Sequence, residues 1–213
     1  MSDREMDSST EQSNRNTSTV NIYPLSNYYF GSKQSLNIKD ETQAEHAQRM
    51  KANYATHGLR TCVEAVLVVE LHKHPHLLVL QVRNSVFKLP GGRLRPGESE
   101  VDGLKRKLSS KLCDDEDGSD TDWEVGECVG MWWRSDFETL AYPYFPTSLR
   151  RPKECTKLFL VKLPVSKRLI VPKNLKLLAV PFYGIHENDK TYGQVISGVP
   201  MLLSKFIFNI IED

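Results

Sequence analysis

The chain has 213 residues, of which 39% are hydrophobic and 26% charged, a composition typical of one globular domain with a flexible end rather than of two full domains. Lys and Arg number 28 against 27 Asp and Glu, so the net charge of +1 provides no overall basic field for nucleic acid, and any such contact must be local. The sequence contains no apolar run of roughly 18 residues and no apolar segment near its start, which argues against a membrane span or an export signal.

Residues 1–20 are predicted to form a disordered tail. They hold two basic and four acidic residues with almost no apolar side chain, so ordering them would bury too little surface to offset the lost entropy. One folded domain is therefore expected over residues 21–213. The cysteines match no paired metal-ligand spacing and are predicted to be the reduced thiols of a cytosolic or nuclear protein: Cys62, Cys113, Cys128 and Cys155.

The first half of the domain carries signals for one helix and one hairpin. A thin apolar stripe at spacings of three and four predicts a helix from Asp40 to His57, with Gly58 as its stop. Two β-rich runs, residues 61–71 and 76–83, are separated by a polar turn and predict a β-hairpin.

A second helix is predicted after a Gly-rich loop. Ser99 and Asp102 form a capping-box pattern at its start. Its core-facing apolar residues are expected to be Val101, Leu104, Leu108 and Leu112. Further strands are predicted within residues 123–133, 157–163 and 176–185, and a last helix at about residues 194–206. Strands mixed with a few helices predict an α/β domain with helices on the faces of a sheet.

The loop and second helix resemble the Nudix box. That pattern is a glycine, five residues, a glutamate, seven residues, then Arg-Glu-apolar-any-Glu-Glu-any-Gly. The sequence FKLPGGRLRPGE (87–98) and the following helix place four residues in register: Gly92, Glu98, Arg106 and the apolar Leu108. The box region, residues 92–114, is nevertheless degenerate, because the three helix glutamates are replaced by Lys107, Ser110 and Lys111.

These replacements change the chemistry that the box can perform. In the Nudix family the helix glutamates hold Mg²⁺, which prefers carboxylate oxygens and bridges to substrate phosphates. Here the formal charge at the three positions goes from −3 to +2, and Lys107 and Lys111 lie one helical turn apart on one face. We therefore expect no metal, no catalytic residue and no cofactor, although Glu98 with Asp102 leaves a weak metal site open as the alternative.

The resemblance extends over nearly all of residues 20–213. In order along the chain, the matching segments are NIYPLSNYYFGSK (21–33), FKLPGGRLRPGE (87–98), LKRKL (104–108), GMWWRSDFE (130–138), YPYFP (142–146), RPKECTKLFLV (151–161) and YGQVIS (192–197). Together they resemble the Nudix-like small subunit of the pre-mRNA cleavage factor I complex.

This resemblance implies a fold, a function and partners. The fold is a single-domain Nudix-like α/β/α sandwich with a mixed sheet. The function is that of a catalytically silent subunit that binds a UGUA element of pre-mRNA upstream of polyadenylation sites. The implied partners are a second copy of the chain in a homodimer and larger subunits with RNA-recognition (RRM) domains, with no membrane partner, and the implied compartment is the nucleus.

The resemblance also implies which residues bind RNA, and three of them depart from the family. The family uses a glutamate and an arginine before the first predicted strand and stacks a base on an aromatic residue before the FKLPGG loop. Ile38, His46 and Val86 stand at these positions, so a hydrogen-bond acceptor, a bidentate fork and a π-face are lost. The full expected set is Ile38, His46, Glu64, Ser85, Val86, Phe87, Leu89, Gly92, Tyr192 and Gly193.

The departures leave three interpretations open. The chain is a homologue that binds UGUA-type RNA more weakly or with altered preference, which is slightly favoured. Alternatively, it is a paralogue that keeps dimerisation and partner docking without reading RNA. The third interpretation, residual nucleotide pyrophosphatase activity, requires a rebuilt metal site.

Overall fold

The computed structural model describes residues 18–37, 42–83, 85–114, 122–137, 140–145, 147 and 150–211. Within these ranges the chain forms twelve strands: β1 (Thr19–Ile22), β2 (Tyr28–Lys33), β3 (Arg60–Val66), β4 (Val68–Leu71), β5 (His74–Arg83), β6 (Val86–Lys88), β7 (Gly91–Arg93), β8 (Glu124–Arg134), β9 (Glu154–Lys162), β10 (Lys167–Pro172), β11 (Lys176–Pro181) and β12 (Ile207–Ile210). The helices in the same ranges are α1 (Gln43–His57), α2 (Glu100–Leu112), α3 (Phe182–Ile185), α4 (Asp189–Tyr192), α5 (Gln194–Ser197) and α6 (Val199–Leu202).

Most strands belong to two four-stranded sheets. The first has the order β7-β3-β9-β8, in which β3 and β9 are parallel and the two outer pairings are antiparallel. The second is antiparallel, with β5 paired to β4, β6 and β11. Two parallel pairs, β1 with β12 and β2 with β10, complete the strand arrangement. The predicted mixture of parallel and antiparallel strands is confirmed.

The hydrophobic core lies on both faces of these strands, because successive side chains of a strand point to opposite sides. Val63 and Ala65 of β3 face a cluster that includes Leu108 of α2. Val66 of the same strand faces a second cluster that includes Ile196 of α5. Helices therefore cover both faces, which confirms the predicted single-domain α/β/α sandwich.

The helix and hairpin predicted in the first half of the domain are confirmed. Thr42 caps α1 and forms a reciprocal capping box with Glu45. The helix ends at Gly58, whose φ of 71° is easily adopted by glycine. Residues 40 and 41, with which the prediction began the helix, lie outside the described ranges. The hairpin is formed by β4 and β5, which pair in antiparallel register. The first predicted run, residues 61–71, is divided, because β3 pairs with β7 and β9 in the other sheet and only β4 belongs to the hairpin.

The helix of the box region is also confirmed, with one correction to its buried face. The Ser99 hydroxyl accepts a hydrogen bond from the Asp102 amide at 3.1 Å, as an N-cap should. The fully buried side chains on this helix are Leu104, Leu108 and Leu112. Val101 is 41% exposed, so its assignment to the core face was wrong. It lies in the first turn of the helix, where the apolar stripe has not yet reached the sheet.

Two predicted elements near the C-terminus are wrong in extent. The single helix expected at 194–206 is instead α5, α6 and a turn, with Pro200 at the second position of α6. Proline lacks the amide hydrogen that continues a helix but is accepted in a first turn, so a new helix starts there. The strand predicted over 176–185 ends at Pro181, and α3 follows it.

The N-terminal boundary also needs correction. Thr19 and Val20, placed in the tail by composition, form the first half of β1. Val20 is buried and pairs with Phe208 of β12, so the folded domain begins before residue 21. Residues 1–17 lie outside the described ranges. The sequence did not predict strands β1, β2, β10 or β12, whose partners are far away along the chain.

Candidate functional site

The Gly-rich loop connects the two main sheets and forms the centre of the candidate site. Its first part, β6, pairs with β5, while its last part, β7, pairs with β3. Between them, the Ala65 amide donates to the Pro90 carbonyl at 2.7 Å, and Gly91 stands opposite Glu64 in the β3–β7 register. Through these two pairings, the loop brings the predicted residues of β6 close to the predicted residue of β3.

A pair of aromatic rings lies beside this loop. The Phe87 ring on β6 and the Tyr192 ring at the end of α4 have centroids 4.9 Å apart with planes inclined by 52°. Both rings are partly buried and pack against the cluster on the α5 side. Ser85 and Val86, immediately before Phe87, are exposed. The structure thus brings together four of the predicted residues at one surface.

Gly193 belongs to the same surface but contributes a backbone shape. Its φ of 79° lies in the region that favours glycine, and it turns the chain between α4 and α5. Its amide donates to the Asp189 carbonyl at 2.8 Å, and its carbonyl accepts from the Ser197 amide at 3.1 Å. Both backbone groups are used inside the protein, so we assign Gly193 the role of positioning Tyr192.

Leu89 and Gly92 fix the loop to the rest of the domain. Leu89 is 2% exposed and belongs to the hydrophobic core, so it anchors the loop. A Cβ atom at Gly92 would lie 3.2 Å from Cε of Lys107, which shows how closely the loop packs on α2. These two residues shape the surface that Phe87 occupies.

Glu64 on β3 and Lys111 on α2 influence each other's charge beside the loop. Burial raises the pKa of Glu64 to about 7, although the positive charge of Lys111 opposes the increase. Burial lowers the pKa of Lys111 to about 8, and here Glu64 opposes the decrease. The Lys111 ammonium also donates a hydrogen bond to the Gly91 carbonyl at 2.6 Å.

The remaining glutamate of the box is fully engaged. Arg106 donates two hydrogen bonds of 2.6 Å to Glu98, one to each carboxylate oxygen, and the Arg95 amide donates a third at 2.8 Å. The hydrogen bonds from Arg106, followed by that from Arg95, lower the pKa of Glu98 to about 2. Asp102 accepts a hydrogen bond from the Ser99 hydroxyl at 2.6 Å. The two carboxylates considered for a weak metal site thus serve the ion pair and the helix cap.

The divalent cation implied by the Nudix box does not fit this helix face. The Gly91 carbonyl, an oxygen that a hard cation would use, accepts a hydrogen bond from the Lys111 ammonium, and the positive charge of Lys111 also acts on Glu64. Across the part of the chain that the structure describes, no group of three or more His, Cys, Asp and Glu side chains is arranged to hold a metal ion.

For His46, another of the predicted residues, the structure gives a contact within its own helix. His46 is exposed on α1, and its Nδ1 atom lies 3.1 Å from a guanidinium nitrogen of Arg49 on the same helix. The described contacts of α1 lead elsewhere, for example from Tyr54 to Phe137. Ile38 lies outside the described ranges.

Sequence reasoning also missed a charge cluster next to the first sheet. Glu154 at the start of β9 is 8% exposed and accepts from Arg134 Nε at 3.0 Å, while Arg60 Nε lies 2.9 Å from its other oxygen. These residues come from three neighbouring strands, so only the strand order could have revealed the cluster.

None of the helices in the described ranges has the length and apolar character needed to span a membrane.

Comparisons with known proteins agree with this geometry and with the motifs. The family model NUDIX_2, described as "Nucleotide hydrolase", matches residues 18–206. The chain is 64% identical to "Pre-mRNA cleavage factor Im 25 kDa subunit 1" of Arabidopsis thaliana, over 91% of this chain and 87% of that protein. It is 53% identical to "Pre-mRNA cleavage factor Im 25 kDa subunit 2" of the same plant, over 91% and 97%.

A more distant relative carries a related name. "Cleavage and polyadenylation specificity factor subunit 5" of Dictyostelium discoideum is 43% identical, over 89% of this chain and 95% of that protein. The resemblance inferred from the ordered motifs is therefore confirmed. The chain belongs to the Nudix family and, within it, to the family of pre-mRNA cleavage factor Im 25 kDa subunits.

Proposed function

We propose that the protein is a non-catalytic RNA-binding subunit of the cleavage factor I complex, which acts in pre-mRNA 3′-end processing and poly(A)-site selection in the nucleus. The RNA is a UGUA-type element, and the binding surface is the aromatic pair Phe87 and Tyr192 with the exposed Ser85–Val86 turn. The observation that carries the proposal is this ring pair next to the Gly-rich loop in a chain 64% identical to a cleavage factor Im subunit.

The aromatic pair has the chemistry needed to bind a single-stranded base. Every base has a π-face, and stacking on an aromatic side chain contributes roughly 1 to 3 kcal/mol per base. Tyr192 supports Phe87 at a centroid distance of 4.9 Å, which limits the freedom that the ring loses on binding. Lys88, exposed on the next position of β6, supplies a positive charge for a phosphate.

The box helix supports the non-catalytic part of the proposal. Mg²⁺-dependent hydrolysis needs carboxylates at positions that hold Lys107, Ser110 and Lys111 in this chain. The retained Glu98 is engaged in its ion pair with Arg106. We therefore expect no phosphate release from dinucleoside polyphosphates or capped RNA with Mg²⁺ or Mn²⁺. Release that Glu98→Gln abolished would show an enzyme instead.

The names of the relatives support assembly into a complex. Each of the two plant relatives is named as a subunit of cleavage factor Im. We propose the partners to be a second copy of this chain and the larger RRM-containing subunits of the factor. Tyr144 and Phe145 are exposed in the loop before β9, and aromatic side chains are enriched at protein interfaces.

Equilibrium binding to a short UGUA RNA and to its scrambled version, at one stated salt concentration, tests the proposal. The wild type should prefer UGUA, and Tyr192→Ala should reduce that affinity by about ten- to a hundredfold through loss of ring support and stacking. Tyr183→Ala is the matched control, because Tyr183 is a 75% exposed tyrosine on α3 that contacts His74 instead. Equal affinity for both RNAs would contradict RNA reading, since phosphate contacts alone are indifferent to sequence.

A docking subunit that does not read RNA is the second candidate. It is favoured by Val86, which offers no π-face on the exposed turn beside Phe87. Co-purification with a larger cleavage factor subunit, without a preference for UGUA, would support this candidate over the first.

A further inference from the structure

Lys111 occupies an unusual position for a lysine. It lies on α2, partly buried beneath the Gly-rich loop, and its ammonium group donates to the Gly91 carbonyl at 2.6 Å. Lysine side chains are mostly exposed in proteins, because removing an ammonium ion from water is costly unless the charge is paired. The site must therefore supply a counter-charge.

Glu64 supplies that counter-charge from β3. It stands opposite Gly91 in the strand register, so the carboxylate and the carbonyl bonded by Lys111 belong to adjacent backbones. The interaction is mutual, since each of the two groups counteracts the effect of burial on the pKa of the other. A buried charge left by removal of its partner is strongly destabilising.

The backbone around Gly91 leaves little freedom to rearrange. A Cβ atom at Gly91 would lie only 2.2 Å from the Val63 carbonyl oxygen, so the loop lies directly on β3. The Ala65 amide fixes the preceding residue through its bond to the Pro90 carbonyl. A cation that holds the Gly91 carbonyl from the α2 side thus completes the attachment of the loop.

We propose that the Lys111 ammonium is a tethered internal cation that takes the place of a bound divalent metal ion in this Nudix fold. It neutralises Glu64, holds the Gly91 carbonyl and keeps the Gly-rich loop in shape without any metal. Lys111 is thus a positioning residue for the loop. This inference goes beyond the proposed function and does not rest on RNA binding.

The other charged groups around the pair are consistent with a site that excludes divalent cations. Lys107 on α2 and Lys88 on β6 add positive charge near Lys111, while Glu154 on β9 and Arg134 on β8 also act on Glu64. Glu154 is itself paired with Arg60 and Arg134. A divalent ion would therefore meet three ammonium groups and one available carboxylate.

A double-mutant cycle on thermal stability tests the coupling. Lys111→Met removes both the hydrogen bond to the Gly91 carbonyl and the positive charge that favours ionised Glu64, which is partly buried, so it should lower the melting temperature. Adding Glu64→Gln removes the unpaired charge and should recover a large part of that loss, making the two changes non-additive. Additive effects would overturn the proposal, because they would show that Lys111 contributes packing alone.

A charge reversal tests whether the Lys111 ammonium occupies a position at which a divalent metal ion can bind. Lys107→Glu with Lys111→Glu places two carboxylates next to Glu64 and the Gly91 carbonyl, which are the hard oxygen ligands that Mn²⁺ accepts. Electron paramagnetic resonance of free Mn²⁺, or calorimetry with Mn²⁺ alone, should show at least about tenfold tighter binding than in wild type. The matched control is Lys105→Glu, because Lys105 lies on the same helix but faces Asp122.

Each result of these experiments decides the proposal without reference to RNA. Mn²⁺ binding by the reversed variant no tighter than in Lys105→Glu would overturn it. If the reversed variant does not fold, the double-mutant cycle decides, and lack of coupling there would overturn the proposal equally. Loss of UGUA recognition in the wild type would contradict the proposed function alone.

Discussion

The Gly-rich loop separates two regions that have diverged in different ways. On its α2 side, the helix retains its place and its buried leucines, while the metal-binding carboxylates of the Nudix pattern are replaced by two lysines and a serine. On its β6 side, Phe87 and Tyr192 form a ring pair at the surface. The buried leucines of α2 are thus kept while the charges on its polar face differ from the Nudix pattern, and on that face Lys111 holds the loop through the Gly91 carbonyl.

The largest loss of stability should come from substitutions in the hydrophobic core that both regions share. Leu108→Ala removes a fully buried side chain of α2 and should lower the free energy of unfolding by about 2 to 5 kcal/mol. Val101→Ala on the same helix should cost much less, because Val101 is 41% exposed. Chemical denaturation of both variants measures the difference. Similar losses would show that the buried face of α2 does not hold the fold.

A smaller effect should come from the ion pair between Glu98 and Arg106 in the box region. The pKa of Glu98 is lowered from 4.5 to about 2 by its hydrogen bonds, so its contribution to stability is complete above pH 4.5 and is lost as the pH falls towards 2. Glu98→Gln should therefore be less stable than wild type at neutral pH, and the two curves should converge in acid. Urea denaturation between pH 7 and pH 2 checks this.

The control for that experiment is an exposed ion pair. Glu124 lies 2.6 Å from Lys162, and both side chains are at least half exposed. Glu124→Gln should change stability little at any pH, because solvent screens such pairs. A Glu98→Gln variant with the same flat profile would show that the bidentate pair with Arg106 does not stabilise the loop.

The sequence predicted the local features of both regions because their signals lie within a few residues. The cap at Ser99 and the spacing of Leu104, Leu108 and Leu112 define α2 without any tertiary information. Pro200 was a local signal as well, yet the apolar spacing on both sides of it concealed the break between α5 and α6.

The remaining features depend on pairings between distant segments. The pairing of Val20 with Phe208 joins the two ends of the domain, and composition alone placed Val20 in a tail. The Glu64 and Lys111 pair needs the register of β7 on β3, which aligns Gly91 with Glu64. The sequence showed a lysine where the Nudix pattern has a glutamate, whereas only the fold showed that Lys111 bonds to the Gly91 carbonyl and acts on the charge of Glu64. The grouping of His46 with the aromatic site comes from resemblance alone and stays a prediction; the structure gives its contact with Arg49 on the same helix.

The smallest expected effect is a gain in RNA affinity on the β6 side, from introducing the groups that the resemblance implies for these positions. Val86→Phe together with His46→Arg should raise the affinity for UGUA RNA, within about tenfold, because the new ring adds a π-face at an exposed position beside Phe87. Val86→Phe alone should account for most of the gain, because the new ring would stand on the exposed turn directly before Phe87. Binding titrations of both variants against UGUA and scrambled RNA measure this.

The result also tests whether the ring at position 86 acts by stacking or by general hydrophobicity. Val86→Leu is the matched control, because leucine adds apolar surface without a π-face. A gain with phenylalanine but not with leucine would assign the effect to stacking. If Val86→Phe left the affinity unchanged while His46→Arg raised it, the reading surface would have to include α1, and stacking at position 86 would not contribute.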